Sequence, residues 1–125
     1  MPAKRFDEKT LQAIGKSLVL GIRAGARPHR VIGIWAVVVE GRVFVRSWTI
    51  KPDGWYETFN RDRSGIVEIG GKKIPIRAVK TRSQRLKDAV DRAYATKYHT
   101  PASRKYVRGF RTPRRKETTT ELVPA

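Results

Sequence analysis

The stretch from Ile34 to Trp48 reads IWAVVVEGRVFVRSW, with two apolar runs, Ile34 to Val39 and Val43 to Val45, around Glu40-Gly41-Arg42. β-Branched and aromatic side chains suit a pleated surface, and glycine supplies the backbone freedom that a tight reversal needs. The stretch therefore reads as an antiparallel hairpin. Its first run barely alternates, as a central barrel strand covered on both faces would. The second alternates, with Val43 and Val45 on one side and Arg42, Phe44 and Arg46 on the other. It leaves through Arg46-Ser47-Trp48, a cation, a hydroxyl and a large ring in succession. Such an exit is suited to lining a phosphate or aromatic-cofactor site.

Upstream, Phe6 to Gly15 offers Asp7 as an N-cap and apolar Leu11 and Ile14, which predicts a short helix over about 7–15. Ser17 to Arg23 alternates Leu18, Leu20 and Ile22 with smaller residues and reads as a first strand. Gly25 to Arg30, containing Pro28, is a loop feeding the hairpin. Downstream, Pro52-Asp53-Gly54 is a turn signature, and Trp55-Tyr56-Glu57-Thr58-Phe59 predicts a turn or two of helix. Gly65 to Ala78 reads as a second hairpin about Gly70-Gly71. Pro75 has no N–H for a ladder, so its strand should be an edge or its nitrogen should face outward. Ser83 to Tyr98 carries Leu86, Val90, Ala93 and Lys97 at helical spacing behind a Ser83 cap, which predicts a long helix over about 83–98. Thr118 to Val123 closes the sheet. The reading is one domain over 1–125, mainly β: a small antiparallel barrel with flanking helices.

The chain has 125 residues, 39% hydrophobic and 31% charged, which is a globular composition for one domain. It has no cysteine, which excludes disulfides, thiolate metal sites, iron–sulfur clusters and thiol catalysis. No apolar run approaches a membrane span, and MPAKRFDEKT has no hydrophobic segment after its basic residues, so a cytoplasmic protein is expected. Lys and Arg number 28 against 11 acids, a net charge of +17. Positions 1–62 contribute 11 basic and 6 acidic residues, whereas positions 63–125 contribute 17 and 5. Between Lys97 and Lys116 lie eight basic residues and no acid, counting both ends. Such a surface attracts polyanions: nucleic acid, phosphorylated cofactors or anionic lipid.

IWAVVV followed by VFVRSW, the Trp55-Tyr56 pair, the Gly70-Gly71 hairpin, the DAVDRAYATKYH helix end and the closing TTTELVP resemble, in order and spacing, the uncharacterised bacterial family called domain of unknown function 2255. That family is similar in turn to the flavin-binding split-barrel proteins, which include pyridoxamine-phosphate oxidases and deazaflavin-dependent reductases. The resemblance implies a six-stranded split barrel, FMN-binding split-barrel-like, dimerising around a cofactor of the FMN or deazaflavin class. It implies that Arg46 and Ser47 grip the cofactor phosphate, that Trp48, Trp55 and Tyr56 border the ring system, and that Lys97 and Tyr98 close the site from the helix end.

Each residue also has a plainer reading. Arg46 suits bidentate anion recognition, but most strand arginines simply face solvent. The aromatics suit stacking, or else a barrel core or dimer interface, and Trp35 reads as core or interface. Lys97 equally complements the dipole at its helix end. Asp88 and Asp91, flanked by Lys87 and Arg92, read as a salt-bridged face rather than an acid–base pair. His29 and His99 lie far apart, without metal-ligand spacing, so no metal site is expected. No nucleophile elbow, Walker loop or Rossmann glycine pattern is present, so any enzymatic chemistry would have to be carried by a cofactor, which the resemblance implies is a flavin in a flavin-dependent oxidoreductase. Two other functions compete. One is a basic nucleic-acid-binding small barrel using Lys97–Lys116, with Tyr106 and Phe110 interleaved for stacking. The other is a cofactor-free dimeric structural protein.

Overall fold

The chain forms α1 (Glu8–Lys16), β1 (Leu20–Ala24), β2 (Ile32–Ile34), β3 (Ala36–Val39), β4 (Arg42–Val45), α2 (Trp55–Arg61), β5 (Ser64–Ile69), β6 (Lys72–Lys80), α3 (Gln84–Lys97), α4 (Arg104–Phe110), α5 (Pro113–Lys116) and β7 (Thr120–Pro124). These elements come from a computed structural model that describes residues 5–26, 30–49 and 54–125. The Pro28 loop, His29 and the Pro52-Asp53 half of the downstream turn lie outside the described residues.

The hairpin forms where its residues place it. Ala36 pairs with Val45 and Val39 with Arg42, and the reversal uses Glu40 at φ 54° and Gly41 at φ 71°. Both central residues in the left-handed region define the turn whose twist matches paired strands. The second hairpin does the same through Gly70 at φ 56° and Gly71 at φ 78°. Asp7 caps α1 by accepting the Thr10 N–H at 2.7 Å, and Ser83 caps α3 by accepting the Leu86 N–H at 3.2 Å.

All strands join one antiparallel sheet in the order β2-β1-β5-β6-β7-β4-β3. There are seven strands among the described residues, not six. The run from Ile32 to Val39 is divided at Trp35, its first part pairing β1 and its second part β4. The two ends of the sheet are thus one residue apart in the chain, which curls the sheet into a barrel. Trp35 leaves the ladder because α3 engages it: its carbonyl accepts the Tyr94 hydroxyl at 2.8 Å, and its ring stacks on Tyr98 at 4.0 Å.

Two apolar clusters follow from this closure. Inside the barrel, Leu20, Ile22, Val43, Val45, Val67, Ile76 and Leu122 meet Ile14 of α1 and Trp55 and Phe59 of α2. Outside it, Val37 and Phe44 pack with Leu86, Val90, Tyr94 and Tyr98 of α3 and with Val107 and Phe110 of α4. The unbroken apolar run therefore has a different cause from the one expected. β3 is an end of the sheet, not a central strand, and α3 covers its outer face. Pro75 likewise sits on an interior strand; it is exposed beyond the first β6–β7 pair, Ile76 with Pro124, and its carbonyl accepts the Ala125 N–H at 3.0 Å. The basic stretch folds into α4 and α5, which the sequence reading passed over.

Candidate functional site

At the exit of β4 the chain turns beneath α3, and alternation sends the Arg46 side chain outward onto that helix. Arg46 is only 2% exposed. Its guanidinium donates to Thr119 Oγ1 at 2.8 Å, to Asp91 Oδ1 at 2.5 Å, to the Phe110 carbonyl at 3.1 Å and to the Lys87 carbonyl at 2.8 Å. Four of the five N–H groups of an arginine are spent in this way. Asp91 also accepts Lys116 Nζ at 2.7 Å, and the same Nζ reaches Asp88 Oδ1 at 2.7 Å. Beside them Lys87, itself buried, donates to Glu117 Oε1 at 2.8 Å. Three cations and three carboxylates thus neutralise one another between β4, α3 and α5. The Asp88–Asp91 pair is salt-bridged, but by Lys116 and Arg46 rather than by Lys87 and Arg92. The Lys116 ammonium holds the Asp88 carboxyl below its ordinary value, and Lys87 does the same for Glu117. Ser47 is fully buried; its N–H donates to Thr118 Oγ1 at 2.9 Å and its hydroxyl to the Thr49 carbonyl.

Trp48 emerges from this cluster with 41% of its surface exposed. The Arg115 guanidinium lies 3.8 Å over its ring, and Arg115 Nε donates to its carbonyl at 2.9 Å. The ring also presses on the α4 backbone, where a Cβ at Gly109 would stand 2.5 Å from ring carbons. Only glycine admits this approach.

Trp48 forms one wall of a pocket of about 450 Å³. Trp35, Trp55, Tyr106 and Phe110 supply further aromatic walls, Ile32 to Ile34 of β2 line one side, and Arg46 and Thr49 also contribute. Trp48 meets Tyr106 at 5.2 Å and Phe110 at 5.5 Å between centroids, both edge to face. Pairs in this geometry add about 0.5–1.5 kcal/mol beyond their burial and hold the walls in place.

Of the seven residues anticipated for the site, Arg46, Trp48 and Trp55 line this pocket, whereas Ser47, Tyr56, Lys97 and Tyr98 are not among its lining residues. Tyr56 lies edge to face against Trp55 at 6.3 Å. Lys97 Nζ donates to the Ala36 carbonyl at 2.6 Å and the Ile14 carbonyl at 3.1 Å, and burial lowers its pKa to about 8. The Tyr98 hydroxyl donates to the Leu18 carbonyl at 2.8 Å, and burial raises it to about 12. Both tie α3 to α1 and the barrel. Trp35 is half-buried; it packs against the outer apolar cluster and also lines the pocket. Its place in the site, with that of Tyr106 and Phe110, follows from the break at Trp35 and from the short α4. Neither leaves a periodic mark in the sequence. Among the described residues no group of His, Asp and Glu is arranged to hold a metal ion, and no helix is long and apolar enough to cross a membrane.

The class defined by this fold is an antiparallel β-barrel with flanking helices and an aromatic pocket at the β4 exit. Residues 10–122 match the family described as "uncharacterized protein conserved in bacteria (DUF2255)", and the chain belongs to that family. Its fold is similar to that of a conserved hypothetical protein from Mycobacterium tuberculosis, Rv2991, with a TM-score of 0.58 at 12% identity over 98% of this chain and 81% of that chain. No curated protein matches the chain.

Proposed function

We propose that the pocket binds a planar aromatic ligand bearing an anionic tail, of the FMN or deazaflavin class, and that the protein serves as a flavin-type oxidoreductase. The observation that carries this reading is the set of five aromatic side chains, Trp35, Trp48, Trp55, Tyr106 and Phe110, around a pocket of about 450 Å³. The fit to such a ligand is uneven. The aromatic walls suit a ring system. The Arg46–Ser47 grip does not suit its phosphate, because both side chains already serve protein acceptors. The tail is better met by Arg115, whose Nε is held by Trp48 and whose terminal nitrogens make no hydrogen bond among the described residues. When bound, the isoalloxazine or deazaflavin ring supplies the redox chemistry. The chain's part is to stack the ring, exclude water and balance the charge.

Two copies are proposed to pair through the β1–β2 end of the sheet. There Leu18, Val19, Val31 and Ile32 are exposed, and β2 also lines the pocket.

The test is a titration with FMN, followed by flavin fluorescence at about 150 mM NaCl, where screening suppresses diffuse attraction to a +17 chain. Saturable binding is expected. Loss of one stacking wall in Trp48→Ala should weaken it about 10-fold or more, since stacking on an aromatic side chain is worth about 1–3 kcal/mol. Gly109→Ala, which displaces that wall, should weaken it in the same direction. A protein indifferent to FMN and to a deazaflavin, or a Trp48→Ala variant binding as well as the parent, would end this reading.

A further inference from the structure

The segment from Lys97 to Lys116 uses its cations in two different ways. Lys97 is held by two backbone carbonyls, Lys116 by Asp88 and Asp91, and Arg115 by Trp48. The other five, Arg104, Lys105, Arg108, Arg111 and Arg114, are all exposed. Five acids elsewhere are engaged: Glu40 by Arg85, Glu121 by Arg42, Glu117 by Lys87, and Asp88 and Asp91 by Lys116. No acid lies between Asp91 and Glu117 in the chain, and none of the five cations is in a salt bridge among the described residues.

Helix geometry aligns these charges. Arg104, Arg108 and Arg111 are spaced i, i+4, i+7 and share one side of α4 and its C-cap, while Tyr106 and Phe110 face the aromatic pocket. On the charged side, Arg104 and Arg108 join His99 around a cleft of about 290 Å³ between the end of α3 and α4, floored by Ala95, Tyr98 and Val107. Crowding like charges on a concave surface without carboxylates is unfavourable in the free protein, and an anion relieves it. The array extends along α4 into α5, too far for one phosphate group, so a polyanion fits it better than a small ligand does. At its edge Trp48 and Tyr106 are 41% and 39% exposed, offering aromatic surface that unstacked bases can reach. α4 spans seven residues, Arg104–Phe110, a short element to lay along the major groove of a duplex.

We propose that the α4–α5 face binds single-stranded nucleic acid, with phosphodiesters on Arg104, Lys105, Arg108, Arg111 and Arg114 and one of them seated in the His99–Arg104–Arg108 cleft. The phosphate contacts are independent of a ligand in the aromatic pocket. Each phosphate that a cation neutralises releases condensed counterions, so binding must weaken steeply with salt.

The experiment is fluorescence anisotropy with labelled oligo(dT) and oligo(U) of about twelve nucleotides, a length within the range that small barrels cover. It is run from about 50 to 300 mM NaCl. Saturable binding is expected at about 150 mM, with a slope of log K against log salt of about −3.5 for five neutralised phosphates. In Arg104→Ala/Arg108→Ala/Arg111→Ala the slope should shrink to about −1.4, while Lys72→Ala/Lys73→Ala/Lys80→Ala on β6, equal in charge removed, should keep the parent slope. The three arginines carry no hydrogen bond or ion pair from their side chains among the described residues, so the variant is expected to retain its circular dichroism and unfolding midpoint.

Absence of saturable binding at about 150 mM overturns the proposal. So does equal weakening in the two triple variants, which would mean diffuse charge only, and so does a duplex that binds as tightly as the single strand. The FMN titration of the α4 triple variant separates the two readings: its flavin affinity should stay at the parent value whatever becomes of the oligonucleotide.

Discussion

Arg46 shows how far a single residue can be read from its neighbours in sequence. Alternation along β4 correctly puts it on the face opposite Val43 and Val45, but it does not say what waits there. Its acceptors are supplied by residues 87, 91, 110 and 119, all contributed by later elements. A guanidinium facing solvent and one locked into a neutral ion cluster have the same local sequence. The energetics are correspondingly lopsided. An intact buried pair adds little net stability, because desolvation offsets the Coulombic gain, but removing one member strands the others. Arg46→Ala should therefore cost about 3–5 kcal/mol, seen as a lower urea midpoint and a Tm lower by roughly 10–20 °C. Asp91→Ala should fall in the same direction, and the double variant by less than the sum, since the two share one interaction. A stable Arg46→Ala protein that had lost only ligand affinity would contradict this structural role. For the same reason Trp48, not Arg46, is the informative position for testing the pocket.

At the scale of elements, legibility follows local chemistry. Both hairpins were readable because Glu40-Gly41 and Gly70-Gly71 carry the positive φ their turns need, and α3 because its cap and its apolar spacing are both strong. α4 and α5 were not. At seven and four residues they are too short for a periodic signal, and only Val107 and Phe110 of α4 are buried in them. The division at Trp35 was hidden too, since the groups that pull it from the ladder, Tyr94 and Tyr98, lie on α3.

The end of α3 carries its own prediction. Burial lowers Lys97 from 10.5 to about 8, so between pH 8 and 10.5 the unfolded chain holds more protons than the folded one, and stability rises with pH. A neutral amine retains two N–H donors, so both carbonyl bonds survive the loss of the proton. Burial raises Tyr98 from 10 to about 12, and Tyr94 is raised as well. Above pH 10 the unfolded chain loses protons that the folded one keeps, and stability falls. Urea midpoints measured across pH 7–11.5 should climb above pH 8 and turn over near pH 10. In Lys97→Met the climb should disappear while the fall remains. A parent profile that is flat or falling between pH 8 and 10 would refute this linkage.

For the molecule as a whole, charge and apolar surface act against each other. A net charge of +17 drives copies apart, yet the β1–β2 end exposes Leu18 at 62% and Val19 at 53%, with Val31 and Ile32 beside them. Val19 and Val31 lie over Gly33 and Gly21, where a Cβ would meet them at 2.6 and 3.2 Å. The glycines thus let two apolar side chains spread across the outer face of the strands. β2 is a three-residue sheet end without a charged side chain, and it lacks the lysines with which edge strands usually discourage pairing. The sign of the salt effect separates the two forces. Salt weakens contacts between unlike charges, such as those proposed between the α4–α5 face and a nucleic acid. Here it screens repulsion between like-charged copies and leaves apolar burial intact. In sedimentation velocity the dimer fraction should therefore increase from about 50 to 300 mM NaCl, across which the screening length shortens from roughly 14 to 6 Å. Val31→Lys/Ile32→Lys should remain monomeric throughout. A parent protein that is monomeric at every salt concentration would remove the β1–β2 end as an interface. Dimers that dissociate as salt rises would point to an electrostatic contact elsewhere on the surface.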